Sequence, residues 1–176
     1  MILTNNPAKT IWLTGLSGSG KTTLSKELQQ YFILNNLNLI RLDGDELRSG
    51  LNSDLGFSKE DRTENIRRVA HISKVLNAQG IWTIVALITP LNAQRKLAHN
   101  IVGDNFISVY INCPIEVCEQ RDVKGLYKEA RSGMLKNFTG ISHGFEIPND
   151  SDLMIDTDKF DVQNSVNQII EFLKNG

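Results

Sequence analysis

Gly15-Leu16-Ser17-Gly18-Ser19-Gly20-Lys21-Thr22, directly after Thr10-Ile11-Trp12-Leu13-Thr14, decides how this chain is read. The octet fits G-x-x-x-x-G-K-[ST], a loop that cradles nucleotide phosphates when a strand precedes it and a helix follows. Both flanks are present. Residues 10–14 read as a buried strand, and Leu24, Leu28, Tyr31 and Phe32 recur as one stripe of an amphipathic helix. Glycines let the backbone aim its N–H groups at phosphate oxygens, and the helix adds its positive N-terminus. The expected ATP ligands are Gly15, Ser17, Gly18, Ser19, Gly20, Lys21, Thr22 and Thr23. Lys21 is expected at the β- and γ-phosphates, and the Thr22 hydroxyl on Mg²⁺.

Outward from this loop, strand-like and helix-like segments alternate. Residues 37–42 form the second strand candidate, ending at Asp43-Gly44-Asp45. Ser58 with Asp61 three residues on predicts a helix N-cap, and Ile66, Val69, Ile72 and Leu76 carry one apolar face to Gly80. Residues 81–87 are apolar on both faces, as a central parallel strand covered by helices requires. Residues 92–102 read as a helix, 106–111 as a strand, and Pro114 as the start of a helix carrying Val117 and Cys118. A short strand over 153–155 and a closing helix bearing Val162, Val166, Ile169, Ile170 and Leu173 complete the pattern. This order, with the phosphate loop, predicts an α/β fold, a three-layer P-loop domain over residues 1–176 with a mainly parallel sheet; the family resemblance given below implies a kinase. Residues 124–150, basic, Gly-rich and weakly periodic, are expected to form a mobile insertion, which the family resemblance given below implies is a lid.

Composition narrows the partners. The 176 residues are 40% apolar and 22% charged, and 19 Lys+Arg against 20 Asp+Glu leave a net charge of −1. A duplex DNA binder would usually show a basic surplus, so no nucleic-acid partner is expected. Cys113 and Cys118 suggest neither a disulfide framework nor a four-ligand zinc site. Polar Asn5, Asn6 and Lys9 interrupt the start of the chain, and the longest apolar stretch, 81–88, is too short to span a bilayer. The expectation is a cytoplasmic protein with no membrane partner.

Neither the strand before Thr89-Pro90 nor the one before Asn112-Cys113 ends in an acid, and no Asn-Lys-x-Asp sequence occurs. Motor and GTPase-switch readings are therefore disfavoured. The acids at hand are Asp43 and Asp45, which a parallel sheet places on the rim shared with the phosphate loop. A carboxylate there can accept the proton of an attacking hydroxyl or position Mg²⁺ through water. Lys21, Asp43 and Asp45 are thus the catalytic candidates, with Thr22 and Asp45 toward the metal. The plainer reading is that one aspartate caps a short helix starting near Glu46.

The chain resembles the adenylylsulfate (APS) kinase family along nearly its whole length. Besides the phosphate loop, the resemblance rests on Leu42-Asp43-Gly44-Asp45-Glu46-Leu47-Arg48, Asp54-Leu55-Gly56-Phe57-Ser58, Asp61-Arg62 and Glu64-Asn65-Ile66-Arg67-Arg68. It continues in Lys124-Gly125-Leu126-Tyr127-Lys128 and Lys136-Asn137-Phe138-Thr139-Gly140. The resemblance implies transfer of the ATP γ-phosphoryl group to the ribose 3′-hydroxyl of a small nucleotide, usually adenosine 5′-phosphosulfate. It implies that Phe57 and Phe138 sandwich the acceptor base. It also implies that Arg48, Arg62 and Asn65 hold acceptor anions, that Thr89, Lys124 and Leu126 complete that pocket, and that Arg121 flanks the ATP adenine. A homodimer is implied as well. Arg67 and Arg68 read instead as helix charges paired with acids one turn away, and Lys128 and Arg131 fit a solvated helix as well as a functional lid.

Two segments depart from the family pattern. The family usually has Ser-Pro and an aromatic residue where this chain has Thr89-Pro90-Leu91, with Arg95 nearby. It tends to have Ser-Pro-Tyr-Glu where this chain has Ser142-His143-Gly144-Phe145-Glu146. The departures leave a second acceptor open, cytidine diphosphoramidate, whose 3′-hydroxyl a family relative phosphorylates. Two readings from other classes are a non-catalytic nucleotide-binding regulator and a kinase for a small metabolite. The first gives no role to the intact Lys21, Thr22, Asp43 and Asp45, and the second none to Phe57 and the Asn137-Phe138-Thr139-Gly140 segment.

Overall fold

The structure is a computed structural model and describes residues 7–175. Asn5 and Asn6, and the ends of the expected 1–176 domain, lie outside the described residues. Its elements run β1 (Thr10–Thr14), α1 (Lys21–Leu34), β2 (Leu39–Asp43), α2 (Gly44–Arg48), α3 (Lys59–Ala78), β3 (Trp82–Ala86) and α4 (Asn92–Val102). After a short 3₁₀ turn come β4 (Phe106–Asn112), α5 (Ile115–Arg121), α6 (Leu126–Arg131), β5 (Leu153–Asp156) and α7 (Val162–Asn175). The sheet is five-stranded in the order β2-β3-β1-β4-β5, and every ladder is parallel.

Alternation along the buried strands builds the two cores. Ile11 and Leu13 point to one face, where they meet Leu24, Leu28 and Phe32 of α1 and Val166, Ile169, Ile170 and Leu173 of α7. Trp12 points to the other, against Val85, Ile66, Val69 and Ala70 of α3 and Ala98 and Val102 of α4. A third cluster, Cys113, Cys118, Tyr127, Ala130 and Phe138, lies under the segment expected to be mobile. That segment is not featureless, because it carries α6 and its own apolar seam.

Local signals end the helices where the chemistry requires. Ser58 and Asp61 form a reciprocal capping box at the start of α3, Pro114 is the N-cap of α5, and Gly80, at φ 74°, follows the end of α3. Parallel pairing brings the ends of all five strands to one rim, with Asp43 level with Ala86 and Asn112 with Asp156. The chain runs to one side of β1 through β2 and β3, then to the other through β4 and β5. The loop after β1 therefore lies at the switch point where α/β sheets open a crevice.

Candidate active site

That crevice is a cleft of about 1110 Å³. The phosphate loop forms its floor, and two of the loop's glycines are required by close approach. A Cβ on Gly15 would sit 2.6 Å from the Ile111 carbonyl oxygen, and one on Gly18 2.8 Å from that of Cys118. Gly20 precedes α1 at φ 102°; no side chain caps the helix and no acid stands in its first turn, so its leading amides are left for an anion. Ser17, Gly18, Gly20, Lys21, Thr22 and Thr23 line the cleft. Gly15 and Ser19 do not; both are buried beneath the loop, where the Ser19 N–H donates to the Leu16 carbonyl at 3.2 Å.

Lys21 is buried, and its ammonium donates to the carbonyls of Gly15 (3.0 Å) and Leu16 (2.6 Å). Burial pulls its pKa down from the usual 10.5 to about 8, against opposing pulls from nearby groups that include Asp43. Among the described residues its hydrogen bonds go to loop oxygens and to no carboxylate, an arrangement a phosphate would displace.

Asp43, at the end of β2, does two jobs at once. One oxygen accepts from the Asp45 backbone N–H at 3.0 Å, capping α2; the other accepts from the Thr22 hydroxyl at 2.9 Å. The capping and rim readings therefore both hold for one residue. Arg41, a neighbour that sequence reasoning missed, lies 3.3 Å from the same Asp43 oxygen. The carboxylate meeting Thr22 is thus Asp43, although Asp45 was the acid expected beside Thr22 at the metal. Asp45 is exposed in the first turn of α2 and ion-paired with Lys124.

The far end of the cleft gathers Arg48, Phe57, Arg62, Asn65, Thr89, Lys124, Leu126 and Phe138, every acceptor residue expected from the sequence. Phe57 is exposed, with the Arg48 guanidinium 4.4 Å and the Arg62 guanidinium 5.5 Å from its ring centroid. Arg48 also donates to the carbonyls of Leu55 and Gly56, and Arg62 to those of Phe57 and Asn137. Burial lowers both arginines' pKa values, and Arg62 is lowered further by the charge of Arg48. The charges of Asp61 and Asp45 also reach Arg48, but neither guanidinium is ion-paired among the described residues, and two such forks suit an oxyanion. Phe138 is buried, edge-on to Tyr127 at 4.9 Å, while the Arg48 guanidinium covers a face of Phe57. Asn65 is buried and accepts from Asn52 at 2.8 Å.

Arg121 lies at the other end, donating to the carbonyls of Gly18 and Thr157. Beside it Thr157, Phe160, Val162 and Ser165 line the cleft. The sequence reading gives none of them a place at the cleft (Val162 enters it only as part of the closing helix), although the rim rule applied to the end of β5 points there. Tyr127 of α6 ties the lid segment to the floor, its hydroxyl donating to the Ser17 carbonyl at 2.9 Å. Arg67 and Arg68 pair with Glu64, and Arg68 also with Asp54, as expected of helix charges; together they hold the Glu64 carboxyl well below its usual range. His143 is exposed on the lid loop.

A parallel sheet with a phosphate loop at its switch point, a hydroxyl–carboxylate pair beside that loop and a cationic, aromatic second bay define a P-loop kinase. The relatives narrow the class. Residues 7–156 match the family described as Adenylylsulphate kinase, and the chain belongs to that family. The adenylyl-sulfate kinase of Staphylococcus haemolyticus is 52% identical over 166 residues, 94% of this chain and 83% of that protein. That of Bacteroides thetaiotaomicron is 50% identical over 164 residues, 93% and 82% of the two chains. Among solved structures, the Mycobacterium tuberculosis APS kinase in complex with AMPPNP and APS superposes with a TM-score of 0.92 at 38% identity, covering 96% of this chain and 98% of that one. A hexameric APS kinase from Thiobacillus denitrificans gives 0.73 at 25% identity, covering 96% of this chain and 29% of that one.

Proposed function

We propose that the protein transfers the γ-phosphoryl group of ATP to the ribose 3′-hydroxyl of adenosine 5′-phosphosulfate, yielding 3′-phosphoadenosine 5′-phosphosulfate and ADP. The observation that carries this reading is one cleft joining the Lys21–Thr22 floor to the Arg48–Phe57–Arg62 bay. The similar M. tuberculosis enzyme, solved with AMPPNP and APS, supports the same pair of substrates. In this reading residues 1–176 form one kinase domain with its lid over 124–150.

Thr22 and Asp43 offer the hard oxygen donors that suit Mg²⁺, which takes few protein ligands and completes its shell with phosphate and water. Among the described residues no group of three or more His, Cys, Asp or Glu could hold a metal. Thr22 and Asp43 would hold the ion there, where it would supply charge neutralisation to the transferring phosphates. Lys21 exchanges its loop carbonyls for the phosphates, and the free amides of α1 hold them. Arg121 and its neighbours seat the adenine. Arg48, Arg62 and Asn65 hold the acceptor's phosphate and sulfate, and Phe57 and Phe138 take its base. Lys124 leaves Asp45 for the acceptor, with Leu126 and Thr89 closing the pocket. Asp45, so released, accepts the 3′-hydroxyl proton as that oxygen bonds to the γ-phosphorus and the bond to the ADP oxygen breaks. Catalysis here is positioning plus charge compensation.

No described helix is long and apolar enough to cross a membrane. A cytoplasmic homodimer completes the proposal, and sedimentation checks the dimer. The deciding experiment is coupled ADP release with adenosine phosphosulfate, with cytidine diphosphoramidate and with neither. The expected kcat/KM favours adenosine phosphosulfate by roughly 10- to 200-fold, the range that pocket contacts supply. Equal or reversed preference overturns the acceptor, and no acceptor-dependent ADP release overturns the kinase reading.

A further inference from the structure

The two segments that depart from the family pattern meet in the structure. Arg95, in α4, is nearly buried. One of its guanidinium nitrogens donates to the Thr89 carbonyl at 2.8 Å; the other donates to the Glu146 carbonyl at 2.6 Å and to the Asn92 side chain. Its guanidinium lies 5.7 Å from the Phe145 ring centroid, and Phe145 stacks on Tyr110 at 6.0 Å. Glu146 closes the contact from its own side: its N–H donates to the Pro90 carbonyl at 2.9 Å, and its carboxylate accepts from the Asn92 N–H at 2.5 Å.

The partner segment is strained. Thr89 sits at φ 44°, the left-handed region that a β-branched residue rarely enters. Its hydroxyl accepts from the Trp12 indole at 2.9 Å, and its carbonyl accepts from Thr14 at 3.2 Å as well as from Arg95. Thr89 and Pro90 line the cleft, whereas Leu91, Arg95, Phe145 and Glu146 do not.

We propose that Arg95 is a positioning residue for the acceptor half of the reaction: with Glu146 it clamps the end of the lid segment to the strained Thr89–Pro90 wall. Outside Thr89 itself, the departures at Leu91 and at 142–145 then act through this clamp and not by touching the acceptor. The clamp sets the lid's return path and the wall's shape together, and displacements near 1 Å in such supports cost up to about a hundredfold in rate. The proposal rests on the phosphoryl-transfer reading above.

The test compares Arg95→Met, Arg95→Lys and Glu146→Ala in the intact protein. KM is measured for acceptor and for ATP, together with the ADP released per acceptor phosphorylated. For Arg95→Met the acceptor KM is expected to rise about tenfold or more while the ATP KM stays within about twofold. The same variant should release excess ADP. Arg95→Lys should recover part of the loss, since one ammonium can serve one of the carbonyls. Glu146→Ala, at an exposed position, should show the same split at smaller size. Equal changes in both KM values, or none, in folded Arg95→Met overturn the proposal. An unchanged acceptor KM and ADP ratio in Glu146→Ala overturn it even where Arg95→Met fails to fold. A wild-type protein without acceptor-dependent turnover instead overturns the reading beneath it.

Discussion

At the scale of single residues, Lys21 carries a testable link between charge and binding. With its pKa lowered to about 8 by burial, the free protein begins to lose this proton at mildly alkaline pH. Nucleotide phosphates favour the ammonium form, so binding takes the proton back. Affinity for an ATP analogue should therefore fall as pH rises through about 8, by up to roughly tenfold per pH unit. Calorimetry in buffers of different ionisation enthalpy should register proton uptake, and an affinity flat from about pH 7 to 9.5 would refute the linkage. Stability has its own sign. Between about 8 and 10.5 the unfolded chain holds a proton that the folded chain lacks, so this group makes the fold more stable as pH rises across that window. Phe57 makes a different prediction. Replacing it by Ala removes about 1–3 kcal/mol of base stacking, a rise in acceptor KM of roughly 5- to 150-fold. Because stacking is made in ground and transition states alike, kcat should change little; steady-state kinetics showing a kcat loss with constant KM would reject the clamp.

At the scale of elements, helix α3 shows how local sequence positions the acceptor bay. Ser58 accepts from the Asp61 N–H at 3.0 Å, and the Ser58 N–H reaches back to the Asp61 carboxylate at 3.4 Å. This box fixes the start of the helix that supplies Arg62 and Asn65, one residue after Phe57. Ser58→Ala should cost about 1 kcal/mol in urea unfolding; a loss indistinguishable from zero would mean that tertiary contacts alone hold this end. Capping, the α1 stripe and the fully buried β3 are legible because each depends on residues within a turn or two of one another. The end of β2 was legible only in part. Asp43 was recognised as a rim acid and as a possible cap, but its contact with Thr22 spans 21 positions, a separation over which no periodicity carries information.

At the scale of the whole molecule, the proposed lid, residues 124–150, touches the phosphate loop, α2 and the wall after β3. Tyr127 holds it to the Ser17 carbonyl of the phosphate loop, Lys124 to Asp45, and Glu146 and Phe145 to the wall under Arg95. Lys124, Lys128, Arg131 and Lys136 are exposed along it. With ATP analogue and acceptor both bound, tryptic cleavage at these residues should slow severalfold as the segment closes and excludes water. Cleavage unchanged or faster in the ternary complex would argue against closure. The sequence by itself determined the phosphate loop, the alternation of strands and helices and the family motifs, since each is a short-range pattern of residue types. Only the tertiary structure decided that Asp43 and not Asp45 meets Thr22, and that Arg48 covers the ring of Phe57. It alone brought the residues after β5 to the donor end of the cleft and joined two distant departures from the family pattern through one buried guanidinium. The physical reason is the same in each case. These contacts are made by side chains and carbonyls far apart in the chain, and the parallel sheet brings them to one rim.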